Sequence, residues 1–373
     1  MRIGIDAGSM IGDRGGVGWH VYHLLTSLLT LNEDYELVCY LPSGTRADSV
    51  RESWERDPRL TWVETGRLFW KWRGKLDRLD LFHGPNFKMR TEGRHGGVVT
   101  VHDVWLDRHP EYSTKLFGQQ AAFRRARRTA WRARKLITVS DFSAREISAL
   151  YGLPGDRIVT IHNGVSDDFR PVHDDQAMQT LRHRLHLPEG GFLLFVGGAD
   201  PRKNHQVFLK AAAQQMPALK GRTLVLVGDA VHRFGDYRKT ARELGIERHV
   251  VCPGRLARED LKLLYSNADL FVFPSLYEGF GMPVLEAMAC GVPTITSAGS
   301  ALPEVAGDAA LLVDPENAVV LGQAMVRLLS DQELRERLRA KGLEQVQRYT
   351  WRKAATKTFA LYRELVEKDS NVR

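Results

Sequence analysis

Cysteine is scarce in this chain: Cys39, Cys252 and Cys290 are the only thiols among 373 residues. Their odd number and wide spacing argue against a disulfide framework or a zinc site. Buried free thiols in a reducing compartment are expected instead. No apolar run approaches the ~18 residues needed to cross a bilayer. The opening MRIGIDAG lacks the long apolar stretch and small-residue cleavage site of a signal peptide, so a cytoplasmic protein is expected. Short-period repeats and low-complexity segments are also missing. Negative charge is in deficit, with 45 Asp+Glu against 53 Lys+Arg, a net charge of +8 and a pI near 9.4. Such a balance favours anionic partners: phosphates, nucleic acid or an acidic membrane face. The excess is no tail, because eight Lys/Arg fall between Lys115 and Lys135 without one acid.

What is present points to a two-domain α/β protein. The length exceeds one ordinary core, and apolar runs of strand length alternate with stretches of helical period. A first set of runs covers residues 3–5, 37–41, 60–63, 98–101, 136–139 and 158–161. A second covers 192–196, 224–227, 249–251, 270–273, 294–295 and 311–313. Several are apolar on both faces, as buried parallel strands are, so two doubly wound, Rossmann-like sheets in series are predicted. The polar stretch 169–190, with a proline near each end, reads as a linker between domains 1–168 and 191–350. A helix from about 351 to 373 is expected to pack back on the first domain. A cleft at the C-terminal edges of the two sheets is where a ligand is expected.

The most informative segment is Glu278-Gly279-Phe280-Gly281-Met282-Pro283, continuing through Glu286 to Gly291 and Pro293. Gly279 and Gly281 permit a tight turn after a buried strand, and Pro283 suits the first turn of a helix. The start of that helix offers unpaired N–H groups and a positive dipole end to phosphate or hydroxyls. Glu278 and Glu286 can each accept from neighbouring sugar hydroxyls but would repel phosphate. Around residue 200, Gly197-Gly198-Ala199-Asp200-Pro201-Arg202-Lys203-Asn204 follows another strand. A cation there can stabilise a departing diphosphate.

The Glu278–Glu286 segment resembles the two-glutamate motif of the retaining glycosyltransferases of family 4, which have the GT-B fold. Matching stretches spread over nearly the whole chain: Gly15-Gly16-Val17-Gly18, Val139-Ser140, His162-Asn163-Gly164-Val165, Pro201–Asn204 and Leu302-Pro303-Glu304-Val305. The resemblance implies a hexosyltransferase that holds a nucleotide-diphosphate sugar between two lobes. Lys203 matches the family's diphosphate lysine, and His102 its histidine beside the donor hexose. Gly16 lies in the loop that approaches donor phosphate and acceptor. Where many relatives carry an arginine after the first glycine, this chain has Gly198, so Arg202 or Arg255 is expected to supply the second cation. His102, Lys203 and Glu278 are thus the expected catalytic residues. Gly16, Arg202, Lys203, Arg255, the Gly279–Pro283 turn and Glu286 are the expected donor-binding ones.

No Asp-x-Asp occurs in the chain. Metal-dependent transferases of the other major fold use that pair, so no metal and no cofactor are expected. The Pro201–Asn204 and Leu302–Pro315 stretches look most like bacterial polysaccharide mannosyltransferases, which makes GDP-mannose the expected donor and UDP-glucose the second. A basic run over 119–135, interleaved with Phe123 and Trp131, and Phe69-Trp70-Lys71-Trp72-Arg73 suggest docking on an anionic inner leaflet, beside a lipid-linked acceptor. Three other readings stay open: a nucleotide-sugar epimerase, a nucleic-acid-binding protein, and a regulatory module that binds a sugar nucleotide without turnover.

Overall fold

The computed structural model describes residues 1–11, 15–44, 57–66, 69–113, 119–233 and 235–370. Lys115, the first residue of the basic run, lies outside them. The chain divides into two compact units: Met1–Gly164 with Tyr349–Arg373, and Val165–Arg348.

In the first unit the strands are β1 (Arg2–Asp6), β2 (Glu36–Pro42), β3 (Leu60–Thr65), β4 (Leu81–Gly84), β5 (Gly97–Thr100), β6 (Lys135–Thr138) and β7 (Ile158–Thr160). They form one parallel sheet in the order β3-β2-β1-β4-β5-β6-β7. Ile3, Ile5, Leu37, Val38, Val98 and Val99 are fully buried, so both faces of the central strands are covered. Part of that cover comes from the far end of the chain. Helix Trp351–Ser370 packs on helix Gly16–Leu29. Its Tyr362 hydroxyl lies 2.5 Å from His83 Nδ1, while His83 Nε2 is 2.8 Å from Thr100 Oγ1. A side chain at Gly164 would put its Cβ 2.0 Å from the backbone N of Trp351, so glycine is required where the two segments meet.

The second unit contains β8 (Phe192–Val196), β9 (Thr223–Val227), a small antiparallel hairpin of β10 (Val231–His232) and β11 (Gly235–Asp236), then β12 (Val250–Gly254), β13 (Leu270–Phe273), β14 (Thr294–Ser297) and β15 (Ala310–Val313). Its main sheet is parallel, in the order β12-β9-β8-β13-β14-β15. Strand order reverses between β8 and β13, which leaves a crevice outside their C-terminal ends.

The stretch 169–190 is not a linker. Most of it is helix Asp175–Leu185, capped by Asp174, whose Oδ1 accepts from Ala177 N at 2.9 Å. Met178 and Leu181 are buried, and the helix packs on helix Arg258–Asn267. The polar composition belongs to its solvated face, and the boundary between the units falls earlier, at Gly164/Val165.

Candidate active site

The loops after β8 and β13 meet at the reversal of the second sheet. Gly197 and Ala199 donate backbone N–H bonds to the carbonyls of Val227 and Asp229, both at 2.8 Å, and the Tyr237 hydroxyl donates to the Gly197 carbonyl. Gly228, at φ 132°, allows this approach, since a Cβ there would lie 2.1 Å from the Gly197 oxygen. The chain then makes a 3-10 turn, Pro201–Lys203, in which Asp200 accepts from Arg202 N at 2.9 Å. Asn204 takes a left-handed conformation, φ 59°, and its amide donates to the carbonyls of Pro274 (3.0 Å) and Pro315 (2.6 Å). Helix His205–Gln215 begins only after it. Lys203 therefore sits in the turn before the helix.

The turn aims Lys203 at β13. Its Nζ is 2.6 Å from Glu278 Oε1 and 5.2 Å from the centroid of the Phe273 ring. Ser275 Oγ, 2.7 Å from the same carboxylate oxygen, donates to it, and Leu276 N donates to the Arg202 carbonyl at 2.8 Å. Glu278 is buried, and burial alone would raise its pKa. The charges of Lys203 and Arg202, with hydrogen bonds from Lys203 and Ser275, outweigh that and hold the carboxyl below its usual range. The site thus contains a desolvated, ionised carboxylate and its matching ammonium.

Gly279 and Phe280 continue the loop, with Phe280 buried. Gly281, at φ 107°, starts helix Met282–Ala289, and a Cβ on it would lie 2.6 Å from Leu302 Cδ2. Met282 and Pro283 form the helix's first turn. One turn further, Glu286 Oε2 accepts from the Tyr265 hydroxyl at 3.2 Å. Burial pushes the Glu286 carboxyl up to about 7, against the opposing effects of the Arg258 charge and the Tyr265 bond. Arg258 itself stacks over Phe169, 5.0 Å to the centroid, and lies 3.7 Å from Asp168. Glu278 and Glu286 therefore differ: one is held ionised, the other is poised near neutral pH.

Arg255 is exposed and forms a two-pronged pair with Asp229, at 2.6 and 2.8 Å. Asp229 also carries the carbonyl that receives Ala199 N, so Arg255 is brought beside the Gly197–Asn204 loop. Arg202 points its guanidinium towards Asp200, 4.0 Å away. Ser275, Tyr265, Arg258, Asp229 and Tyr237 escaped the sequence reading. Arg258 and Tyr265 lie seven apart on one helix and so share a face, a spacing that pairs them with each other but does not point to Glu286.

In the first unit, Gly16 opens helix Gly16–Leu29 after β1, and among the described residues no heavy atom outside its own helix lies within 4 Å of where a Cβ would stand. His102 follows β5 and is buried. Its Nε2 donates to the Pro85 carbonyl at 2.9 Å, its ring meets His20 edge-on at 4.7 Å, and burial lowers its pKa. The imidazole is accordingly neutral with the proton on Nε2. His20 is also buried and bonded to Asn163 Oδ1 at 2.7 Å. Phe123, read with Trp131 as an aromatic interleaved in the basic run and offered to a membrane, is half-buried and packs against the core at Tyr151, 5.7 Å between rings. Trp131 remains exposed.

Two family models match this chain: Glycosyltransferase Family 4 over residues 14–169 and Glycosyl transferases group 1 over 179–345. The O-antigen chain mannosyltransferase B of Escherichia coli is 35% identical over 306 residues, covering 80% of this chain and 77% of that protein. The chain belongs to glycosyltransferase family 4. A serotype-specific mannosyltransferase of E. coli, WbdA, is 32% identical over 60% of this chain, although the match spans only 28% of that longer protein. Two solved structures share the fold. Anabaena Alr3699/HepE, in complex with UDP and glucose, has a TM-score of 0.75 at 19% identity, covering 96% of this chain and 98% of that one. WaaG, a glycosyltransferase of lipopolysaccharide biosynthesis, has a TM-score of 0.71 at 17% identity, with 96% and 98% covered. The two parallel-sheet units are thus those of the GT-B class, and this family-4 glycosyltransferase resembles bacterial O-antigen mannosyltransferases. Among the described residues no helix is long and apolar enough to cross a membrane.

Proposed function

We propose that this family-4 enzyme transfers mannose from GDP-mannose, with retention of configuration, to a lipid-linked glycan in assembly of a bacterial cell-surface polysaccharide. The reading places it in the cytoplasm, peripheral on the inner face of the membrane. The observation that carries the proposal is the Lys203–Glu278 pair at the strand reversal, 2.6 Å apart and largely removed from water. A diphosphate entering there meets an ammonium already positioned by the Pro201–Lys203 turn. The ionised Glu278 can accept from hexose hydroxyls. Glu286, near neutral, can accept from or donate to another hydroxyl. Arg202, and Arg255 beside its loop, are the candidates for a second cation. Open space around Gly16 supports a close approach of ligand to that backbone, because neither packing nor backbone angle requires glycine there. His102, neutral and buried, is the proposed contact to the hexose in the first unit.

In the proposed step the acceptor hydroxyl oxygen bonds to the anomeric carbon on the face the diphosphate leaves. The carbon–oxygen bond to phosphate breaks, its electron pair stays on the phosphate oxygen, and that oxygen takes the hydroxyl proton. Lys203 lowers the barrier by countering the charge that grows on the leaving oxygen. No metal has a part in this scheme, in keeping with the missing Asp-x-Asp. Similarity to the E. coli mannosyltransferase favours mannose. UDP-glucose is the second donor, because the structural neighbour bound to UDP and glucose is more distant in sequence.

The test is incubation with a panel of nucleotide sugars and a lipid-linked acceptor, with NMR of the product. GDP release and an α-linked mannose are expected. A β-linked product would refute retention, and stabilisation by UDP-glucose alone would overturn the choice of donor.

A further inference from the structure

At the N-terminal strand edge of the first sheet, opposite the edge that carries Gly16 and His102, lies a cavity of about 750 Å³. Its walls are helix Trp70–Leu76, the segment before β5, and the end of helix Gln119–Arg132. Close backbone contacts build it. A Cβ on Gly74 would stand 1.7 Å from the Glu92 carbonyl oxygen, and one on Gly93 would stand 2.5 Å from Leu81 N. Gly74 N donates to Thr91 Oγ1 at 3.1 Å, and Arg132 closes the far side through Glu92 at 2.6 Å.

Six cations line this cavity, Lys71, Lys75, Arg78, Arg90, Arg94 and Arg132, against two acids, Asp80 and Glu92. Both acids are engaged: Glu92 by Arg132, and Asp80 by the backbone N of Arg2 at 2.8 Å. Arg90 pairs with Asp6 at 2.8 Å. Lys71, Lys75, Arg78 and Arg94 have no ion pair or side-chain hydrogen bond among the described residues, so the cavity carries uncompensated positive charge.

Helix Trp70–Leu76 and the residues flanking it present three stripes. Trp70 and Gly74 face the core, Lys71, Lys75 and Arg78 line the cavity, and Phe69, Trp72 and Leu76 face out. These last three, spaced i, i+3 and i+7, are 61–63% exposed. An aromatic–aliphatic ridge beside a cationic pocket matches a bilayer surface, where rings sit at headgroup depth and cations meet phosphates.

We propose that this cavity takes the phosphate of an anionic phospholipid headgroup while Phe69, Trp72 and Leu76 enter the acyl boundary. The first unit then docks on a membrane through helix Trp70–Leu76, with the basic face of helix Gln119–Arg132 as a secondary contact. The idea rests on the reading of the enzyme as acting on a lipid-linked acceptor, since a soluble acceptor would give docking no purpose.

The test is sedimentation of the full chain with vesicles of phosphatidylcholine containing three parts in ten phosphatidylglycerol, against pure phosphatidylcholine. Binding to the first and not the second is expected, weakening with salt. Lys71→Glu/Lys75→Glu and Trp72→Ser/Leu76→Ser should each lower vesicle affinity at least tenfold. Unfolding midpoints and turnover on a water-soluble acceptor should stay unchanged. Retained soluble turnover also separates failure of docking from failure of the transferase reading. A wild-type chain that stays in the supernatant overturns the proposal. So does loss of binding in Arg124→Glu/Arg128→Glu but not in the cavity variants. Stabilisation by millimolar inorganic phosphate without vesicle binding would assign the cavity to a soluble anion instead. A dimer dispersed by Trp72→Ser/Leu76→Ser would assign the ridge to a second copy of the chain.

Discussion

At the scale of single residues, two carboxylates only eight positions apart live in opposite electrostatic environments. Glu278 is held ionised by Lys203, so removing the lysine strands a buried charge. Lys203→Met should abolish transfer and destabilise the second unit by about 3–5 kcal/mol. Adding Glu278→Gln should restore most of the stability and none of the activity, as seen by paired thermal unfolding and GDP-release assays. A double variant no more stable than Lys203→Met would mean that the pair is not the reason. Glu286 behaves in the other sense. Its carboxyl, raised to about 7, binds a proton more tightly folded than unfolded. It therefore contributes stability below its ordinary value near 4.5 that is lost as pH rises through 7. Glu286→Gln should match wild type in thermal stability near pH 4.5. By pH 8.5 it should gain stability, up to ~3 kcal/mol from the size of the shift. Equal shifts at both pH values would contradict the buried-acid account. Glu278, Glu286 and Lys203 were legible because the segments that carry them resemble motifs of the glycosyltransferase family. Their partners were not. Ser275 is a single hydroxyl in a mostly buried loop of mixed character, and Tyr265 meets Glu286 from a neighbouring helix that no local pattern links to it.

At the scale of elements, glycines separate packing from function. Gly228 is needed by geometry, with a left-handed backbone and a carbonyl in the place of a Cβ. Gly228→Ala should lower the unfolding midpoint of the second unit by several degrees and disorder the Gly197–Asn204 loop. Gly16→Ala meets open space and should leave the midpoint unchanged or raise it, since alanine favours a helix by up to ~1 kcal/mol. It should nevertheless reduce transfer at least tenfold if ligand passes over that backbone. Unaltered kinetics would remove Gly16 from the site. The strands were readable as apolar runs, because parallel strands buried on both faces leave little else at those positions. Helix Asp175–Leu185 was hidden for the opposite reason. Only Met178 and Leu181 of its eleven residues are buried, and its charged face resembles a solvated connection. The Phe123 expectation failed similarly, because a basic helix shows its charge in sequence but not which aromatic turns inward.

At the scale of the whole molecule, the last helix belongs to the unit that the chain left almost two hundred residues earlier. Tyr362 supplies one of the two partners of His83, whose pKa burial lowers to about 3. That neutral histidine contributes stability above its ordinary pKa near 6.5, lost as pH falls below it. Deleting residues 349–373 should lower the melting transition of the first unit and leave that of the second in place, as calorimetry would resolve. A common shift of both transitions would contradict the division into units. Part of the basic surplus that suggested anionic partners lies in the Pro201–Lys203 turn and in the cationic cavity of the first unit, each suited to phosphate.

The central claim is that Lys203 and Glu278 together form the donor site. It is tested most directly by calorimetric titration of GDP-mannose into wild type and into the Lys203→Met/Glu278→Gln double variant. The account predicts binding by wild type and at least a hundredfold weaker binding by the double variant, with its fold intact. Equal affinity for both proteins would contradict it.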